Sequence, residues 1–284
     1  MRARSPLAKI IVYLVLGVLS LLFLMPLAWT ISTSLKPEKQ TMELPPRWWP
    51  REFHFGNYRE AVVYRRAELG YIPMLRYAGN TLYLALLSVT GTVASNALIA
   101  YGFARIRWRG RETLFALTLA TMMVPFPVTM VAVFSIFKEL GWIGSFRPLW
   151  VPAFFGSAFN IFLLRQFYLT IPRDLSDAAA IDGCTELQTF WHLILPLSKP
   201  ALAVVGLFHF MYVWNDFLGP LIYLTDERMF TLSLGLQSYQ SQHGGTPWHL
   251  LMAASMIVIT PLILLFFLTQ RTFIQGVRLT GIKG

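Results

Sequence analysis

The segment LSDAAAIDGCTELQTFWHLILPLSKP, residues 175–200, determines how the rest of the chain is interpreted. It separates two long apolar runs but is not apolar itself. Residues 178–180 are all alanine, which favours helix formation, so we expect a helix here. Asp177 is expected in the first turn of this helix, where the helix dipole favours an acid. Gly183 then interrupts the helical pattern, as a turn or a close backbone approach requires. The pattern therefore predicts a helix that ends in a glycine turn.

A second helix is expected after the turn, because apolar residues recur there at spacings of three and four. Pro196 and Pro200 are expected to end this helix and to lead into the next apolar run. The segment is thus expected to form a compact, partly apolar protrusion that binds a partner. The residues expected to anchor the second helix to the rest of the protein are Leu187, Phe190 and Ile194, which recur with Trp191.

This segment resembles the EAA loop of permease subunits of bacterial ABC importers. In that loop E-A-A is followed by a glycine and later by a leucine–proline pair. Asp177 stands where Glu is usual, and Cys184 stands where Ala is usual. The resemblance implies a coupling helix that docks into a groove on a separate ATPase subunit. The residues expected to take part in this coupling are Asp177, Ala178, Ala179, Asp182, Gly183, Leu187, Phe190 and Pro196.

Individual roles can be assigned within this loop as hypotheses. Ala178 and Ala179 would keep the helix narrow enough to enter a groove. Gly183 would let the chain turn at a point where a Cβ atom would clash. Asp177 and Asp182 would either cap the helix or meet a basic residue of the ATPase.

The composition is that of an integral membrane protein. Of the 284 residues, 55% are hydrophobic and 13% are charged, whereas a soluble domain carries about twice that charged fraction. The net charge of +10 could suggest nucleic acid as a partner. The basic residues are spread among loops that flank apolar runs, however, so we expect no nucleic-acid binding. The single cysteine excludes an internal disulfide and a multi-cysteine metal site.

Six apolar stretches are long enough to cross a bilayer. They predict an all-α membrane protein with six transmembrane helices in one permease domain, residues 1–284, and the first stretch is interpreted as a retained span. Pro125 and Pro127 lie near the middle of the third stretch and are expected to break it. The predicted spans are residues 10–35, 77–104, 113–137, 148–168, 200–224 and 250–270, with an outer loop at 36–75 and a cytoplasmic loop at 174–198.

The distribution of basic residues predicts the orientation in the membrane. Six spans place both termini on one side, together with the loop at 174–198. Arg2 and Arg4 fall on that side too, and so does the most basic short loop of the chain. Cytoplasmic loops are rich in Lys and Arg, so we expect both termini in the cytoplasm and the chain in a bacterial inner membrane. The residues of the basic loop are Arg105, Arg107, Arg109 and Arg111.

Several polar residues within the predicted spans are candidates for a translocation path. For Asn80 and Asn96, hydrogen bonds between helices are the more common role. Asp216 is the one acid within a predicted span, and a carboxylate there is costly unless it is solvated or paired. Structural pairing and contact with substrate or gate remain equal alternatives for it. The candidate path residues are Asn80, Asn96, Asn160, Trp214, Asn215 and Asp216.

Signatures of enzyme active sites are not found in the sequence. It has no G-x-x-x-x-G-K-[ST] phosphate loop, no H-E-x-x-H and no G-x-S-x-G. Its five histidines are scattered, so a metal cluster is not expected. We therefore expect no enzyme activity and no cofactor in this chain, with ATP and magnesium held by partner subunits.

The resemblance implies one subunit of an ATP-driven importer for a mono-, di- or oligosaccharide, similar to the second permease of maltose-type systems. It further implies a type I ABC importer bundle in which this chain forms half of the path. The implied partners are two ATPase copies, a different second permease, an extracytoplasmic sugar-binding protein and the bilayer. One alternative is an ion-gradient-driven secondary transporter, for which Asp216 would be the sole candidate ion ligand. Another is a membrane scaffold that transports nothing.

Overall fold

A computed structural model describes the backbone of residues 6–240 and 245–280, and the side chains of these ranges up to residue 270. Throughout these ranges the regular secondary structure is helical. The predicted all-α architecture is therefore confirmed. Arg2 and Arg4, which contributed to the orientation prediction, lie outside the described residues.

The helices vary widely in length. The longer ones are α1 (Pro6–Ser34), α2 (Gly56–Val63), α3 (Pro73–Ala104), α4 (Arg111–Ala120), α5 (Phe126–Glu139), α6 (Ala158–Thr170), α7 (Arg173–Ile181), α8 (Glu186–Leu197), α9 (Lys199–Asn215), α10 (Leu218–Tyr223) and α11 (Trp248–Thr280). Short helical turns occupy Glu38–Thr41, Arg66–Leu69, Thr121–Met123, Arg147–Trp150, Val151–Phe155, Glu227–Met229, Leu232–Gly235 and Leu236–Tyr239.

Within the described residues, 4 helical segments are long and apolar enough to cross a membrane: α1, α3, Arg147–Thr170 and Trp248–Gln270. Two further pairs of helices reach that standard together but are bent, α4 with α5 by 100° and α8 with α9 by 77°. If each bent pair is one span, the number rises to 6. The chain is therefore a multi-pass membrane protein by length and composition.

Three of the predicted spans are interrupted. The break between α4 and α5 falls at Pro125, where the prolines predicted it. The span predicted at 148–168 begins with short helical turns that end at Phe155, and Gly156, with a φ of +83°, separates these turns from α6. The span predicted at 200–224 contains a break that was not predicted, because α9 ends at Asn215 and α10 begins at Leu218. The side chain of Asp216 explains this break, because it accepts the backbone N–H of Gly219 and so starts a new helix.

The sixth predicted span, 250–270, lies within α11, which continues to Thr280. Pro261 lies inside this helix. Lys199 and Pro200 belong to the first turn of α9, a position that proline tolerates because the N–H it lacks would be unpaired there anyway.

One compact unit comprises the described residues within 1–75 and 235–261. In this unit the rings of Tyr64 and Tyr239 stack with centroids 4.6 Å apart, and Tyr239 donates a hydrogen bond to the carbonyl of Ala61. Asn57 is buried and donates to the carbonyls of Ser34 and Lys36, at 2.9 and 2.8 Å. These carbonyls lie at the C-terminal end of α1, where a helix leaves its last carbonyls without partners. Asn57 therefore closes that end.

The second unit comprises the described residues within 76–234 and 262–284. Its main core joins α3, α6, α8 and α9 around small residues such as Ala97, Ala100 and Ala201, which allow the backbones to approach closely. A smaller cluster of Phe103, Phe115 and Ile161 joins α3, α4 and α6. This core is the support on which the loop at 174–198 is built.

We expect Asn57→Ala to lower the stability of the first unit by about 1–3 kcal/mol, because two buried carbonyls would lose their donors. Thermal unfolding of the purified protein in detergent would measure the change. Arg59→Ala, an exposed change two residues away in α2, is the matched control. Equal unfolding temperatures for the two variants would show that Asn57 does not hold the end of α1.

Candidate functional site

The loop at 174–198 is a helix–turn–helix in which α7 and α8 are joined by a tight glycine turn. The N–H of Cys184 bonds to the carbonyl of Ala179 at 2.9 Å, and the N–H of Gly183 bonds to that of Ala180 at 3.1 Å. This pair of bonds is a Schellman motif, which satisfies the last carbonyls of a helix. Gly183 takes the left-handed conformation the motif requires, with a φ of +83°.

The turn at Gly183 was predicted, with a clash of a Cβ atom as the reason. Among the described residues, a Cβ atom placed on Gly183 would meet nothing within 4 Å beyond the glycine and its two chain neighbours. The clash is local, because at a positive φ the Cβ atom of an L-residue approaches the following carbonyl oxygen, which costs about 1–2 kcal/mol. Asn tolerates this conformation better than other residues do. The glycine is therefore required by the local backbone and not by crowding from other parts of the chain.

The acids of α7 are arranged differently from the prediction. The helix begins at Arg173, so Asp174 lies in its first turn and Asp177 lies one turn later. The N-cap is Pro172 and no side chain caps the helix, so neither Asp177 nor Asp182 acts as the N-cap. The early start follows from Pro172. Proline is compatible with the start of a helix but is unfavourable in the helix interior, because it has no N–H to donate. The side chains of Asp177 and Asp182 are exposed.

A capping box at the start of α8 was missed in the sequence. The hydroxyl of Thr185 accepts the N–H of Gln188 at 3.3 Å, and the side chain of Gln188 accepts the N–H of Thr185 at 2.8 Å. The signal was present as T-E-L-Q, which fits the [S/T]-x-x-[E/Q] pattern. The Schellman motif and the capping box follow each other directly, so the turn between them is fixed from both sides.

Two of the three predicted anchors of α8 are buried. Phe190 and Ile194 are 3% and 0% exposed and belong to the core with α3, α6 and α9. Leu187 is 59% exposed, so its prediction as an anchor was wrong. Its neighbour Glu186 occupies the position that faces α3, where its carboxylate accepts a 2.6 Å hydrogen bond from Tyr101.

The end of α8 also differs from the prediction. Pro196 does not end the helix, which continues to Leu197. Phe190–Ile194 forms a π-helical turn immediately before it. This wider turn relieves the clash that a proline ring makes with the carbonyl four residues earlier. The bend to α9 then occurs at Ser198, which is fully buried and donates to the carbonyl of Ile194.

Tyr101, near the end of α3, and Arg105, in the basic loop, support the helix–turn–helix. The sequence pattern predicted this role for neither residue. The ring of Tyr101 is 3% exposed and packs 5.1 Å from that of Phe190. Arg105 donates to the carbonyl of Ile171, just before α7, at 2.8 Å. Burial, with the nearby charge of Arg173, lowers the pKa of the Arg105 guanidinium. These contacts span at least 66 residues of sequence, so no local pattern could have indicated them.

The outer surface of the helix–turn–helix is exposed and partly apolar. Ile181 is 87% exposed and Leu187 is 59% exposed. Trp191 is 56% exposed, but it lines an apolar groove with Val93 of α3 and Leu202 of α9. Ala178 is exposed and Ala179 is half-buried. Exposed apolar side chains on a rigid element with a polar rim are typical of a protein interface. We call the surface of residues 175–188 the loop face.

The three asparagines predicted as path candidates are engaged within the chain. Asn80 donates to the carbonyls of Arg228 and Phe230, each at 2.9 Å. Asn96 accepts the N–H of Ser157 at 2.8 Å, and Asn160 donates to the hydroxyl of the same serine. This geometry corresponds to the alternative in which such residues link segments of the protein.

The other three path candidates surround the break between α9 and α10. Trp214 is 4% exposed, and Asn215 is exposed and donates back to the carbonyl of Met211. Asp216 accepts the N–H of Gly219 at 3.0 Å, so part of its cost of burial is offset by the backbone. The carboxylate also lines a cavity of about 350 Å³, together with Tyr212 and Tyr223.

Comparisons with known proteins agree on one family. Residues 72–279 match the family described as binding-protein-dependent transport system inner membrane component. The chain is 34% identical over 268 residues to the arabinooligosaccharides transport system permease protein AraQ of Bacillus subtilis, covering 94% of this chain and 92% of the relative. It is 32% identical over 209 residues to the trehalose/maltose transport system permease protein MalG of Thermococcus litoralis, covering 73% and 75%.

A solved structure shares the fold. A chain from the crystal structure of a bacterial ABC transporter involved in the import of the acidic polysaccharide alginate aligns with a TM-score of 0.81. The alignment covers 95% of this chain and 98% of that chain, at 22% sequence identity. At this identity the likeness concerns the fold alone, and it agrees with the predicted helical permease bundle.

We expect Tyr101→Phe to loosen the start of α8 while leaving the core intact, because it removes the hydroxyl that bonds Glu186 but keeps the ring against Phe190. Hydrogen exchange of the amides at 186–190 should become about tenfold faster or more, since a hydrogen bond to a charged group contributes about 1.5–3 kcal/mol. Tyr83→Phe, at a ring 48% exposed, is the control. Unchanged exchange in Tyr101→Phe would show that this bond does not support the loop.

Proposed function

Because the chain belongs to the family of binding-protein-dependent transport system inner membrane components, as the resemblance of its 177–196 loop predicted, we propose that it is a permease subunit of an ATP-driven carbohydrate importer. In this proposal the chain forms half of the translocation path. It is not itself the ATPase, and ATP and magnesium are bound by partner subunits. The loop face receives the force that ATP binding generates.

One observation carries the proposal: the loop face is exposed, whereas the opposite side of α8 is buried in the core. On the outer surface Ile181 and Leu187 are exposed, at 87% and 59%. The inner side of α8 places Phe190 and Ile194 in the core. A loop with only a structural role would bury its apolar residues against its own protein. A docking element needs apolar side chains both on the side that packs against its own protein and on the side that meets the partner. This arrangement supports a partner on the loop face.

The same arrangement explains how a push on the loop would reach the spans. The core beneath α8 contains residues of α3, α6 and α9, so displacement of α8 acts on three helices at once. The Schellman motif, the capping box and the bond from Arg105 to Ile171 resist bending within the loop. A stiff element of this kind biases a two-state bundle without absorbing the motion itself. We propose that the loop is this lever.

The proposed partners follow from the family and from the resemblance of the loop. They are two ATPase copies, a different second permease and an extracytoplasmic sugar-binding protein. The loop and both termini would face the cytoplasm, and the chain would lie in a bacterial inner membrane. Asp182, which is exposed and forms no ion pair among the described residues, would meet a basic residue of the ATPase, whereas Asp177 lines a cavity with Arg105 and Arg173 of this chain.

The proposed substrate class rests on what the relatives are named for. AraQ is named for arabinooligosaccharides and MalG for trehalose and maltose. Another relative, UgpE of Brucella abortus, 30% identical over 264 residues, is named for sn-glycerol-3-phosphate. The first two names are those of saccharides, whereas the third is a phosphate ester of glycerol, so we propose a mono-, di- or oligosaccharide as substrate on the basis of the first two.

We expect Gly183→Val to abolish uptake while the protein remains in the membrane, and Gly183→Asn to retain most of it. Valine cannot hold a φ of +83° at low cost, whereas asparagine can. Uptake of a radiolabelled sugar, chosen from a panel on wild-type vesicles, would measure both effects, with immunoblots for the amount of protein.

The matched control is Gly141→Val. Gly141 also has a positive φ, +65°, and also has nothing within 4 Å of a Cβ position, but it follows α5 and is not part of the loop. Uptake by this variant should stay close to the wild-type level. Normal uptake by Gly183→Val would contradict the lever, and so would an equal loss in Gly141→Val.

A further inference from the structure

A polar cavity lies between α7 and the basic loop that follows α3. Its volume is about 510 Å³, and three arginines line it, Arg105, Arg107 and Arg173. Asp177 and Glu186 also line it. Among the described residues none of the three arginines forms an ion pair, although Asp177 lies close enough to influence Arg105. The cavity therefore carries positive charge that the chain does not neutralise through direct contacts.

Two buried donors of this cavity have no acceptor among the described residues. They are the Nε–H of Arg105 and the hydroxyl of Ser176. The other end of the Arg105 guanidinium is fixed, because its Nη2 donates to the carbonyl of Ile171 at 2.8 Å. Buried donors without acceptors are costly, so this wall of the cavity is short of a hydrogen-bond acceptor. Glu186 is less available to satisfy them, because it already accepts the hydroxyl of Tyr101.

We propose that this cavity binds a phosphate group. The guanidinium fork matches the oxygens of a phosphate, and a tetrahedral anion can accept from several arginines and a hydroxyl at once. Arg105 follows directly after Ala104, the last residue of a candidate span, which places the site near the depth of lipid headgroups. An anionic phospholipid headgroup and a free phosphate ester share this chemistry.

A bound phosphate would connect α7 with the segment that follows α3. Arg173 and Ser176 belong to α7, whereas Arg105 and Arg107 follow α3. A ligand that accepts from both sides holds α7 against the end of α3. The phosphate would therefore regulate how stiffly the loop is mounted. This inference goes beyond the proposed transport function and does not depend on it, because its test measures binding.

The test uses the protein purified together with whatever subunits accompany it. Inorganic phosphate is titrated at constant ionic strength against chloride, in nanodiscs of phosphatidylcholine, with ³¹P NMR to measure binding. In a second arm, nanodiscs of phosphatidylcholine and phosphatidylglycerol are analysed by native mass spectrometry for retained lipid. Saturable phosphate binding without retained phosphatidylglycerol indicates a soluble phosphate compound. Retained phosphatidylglycerol that phosphate displaces indicates the lipid headgroup. Either result supports the proposal.

Variants then locate the site. Arg173→Gln and Arg107→Gln, both at exposed positions, should each weaken binding on the order of tenfold, the value expected for a charge-assisted hydrogen bond. Ser176→Ala should weaken it less. Arg109→Gln is the matched control, because Arg109 is exposed in the same basic loop but does not line the cavity. No saturable binding in either arm would overturn the proposal, as would equal losses in Arg109→Gln and Arg173→Gln.

Discussion

The structure of the loop depends on the burial of one face of α8 against the end of α3. Phe190 and Ile194 enter the core, and Tyr101 both packs against Phe190 and bonds Glu186. Each of these apolar side chains stabilises its position by about 1.5–3 kcal/mol where water is the alternative. Without this contact α7 and the glycine turn would be an exposed peptide with no fixed direction. With it, the apolar residues on the outer surface are held where a partner can meet them.

Small residues make this contact possible. Ala97, Ala100 and Ala104 lie on α3, and Ala201 lies in the first turn of α9, so the helices approach closely around α8. Close approach lets a displacement of one helix be transmitted to the next, because packed interfaces switch between discrete arrangements rather than deform continuously. The turn also depends on a small residue, because Gly183 adopts a backbone conformation that a larger residue would resist.

Local patterns predicted the parts of the loop that depend on neighbouring residues. The helix of α7, the turn at Gly183 and the burial of Phe190 and Ile194 follow from composition and spacing. The exposure of Leu187 could not be predicted, because the periodic pattern does not say which of two adjacent residues, Leu187 or Glu186, faces α3. Tyr101 and Arg105 were missed for a related reason, since their partners lie far away in sequence and folding alone brings them together. The capping box at Thr185 was visible in the sequence and was overlooked.

The central claim is that the loop face docks on an ATPase subunit, and Cys184 allows a direct test. It is the one cysteine of the chain and is exposed in the glycine turn. A heterobifunctional thiol–amine cross-linker, applied to native membranes and followed by mass spectrometry, should join Cys184 to a protein that carries a P-loop. Cys184→Ser should remove this product, and the double variant C184S/T225C, with its thiol at an exposed position beyond α10, should not restore it. Absence of a P-loop protein from the Cys184 product, or its recovery through position 225 alone, would contradict the account.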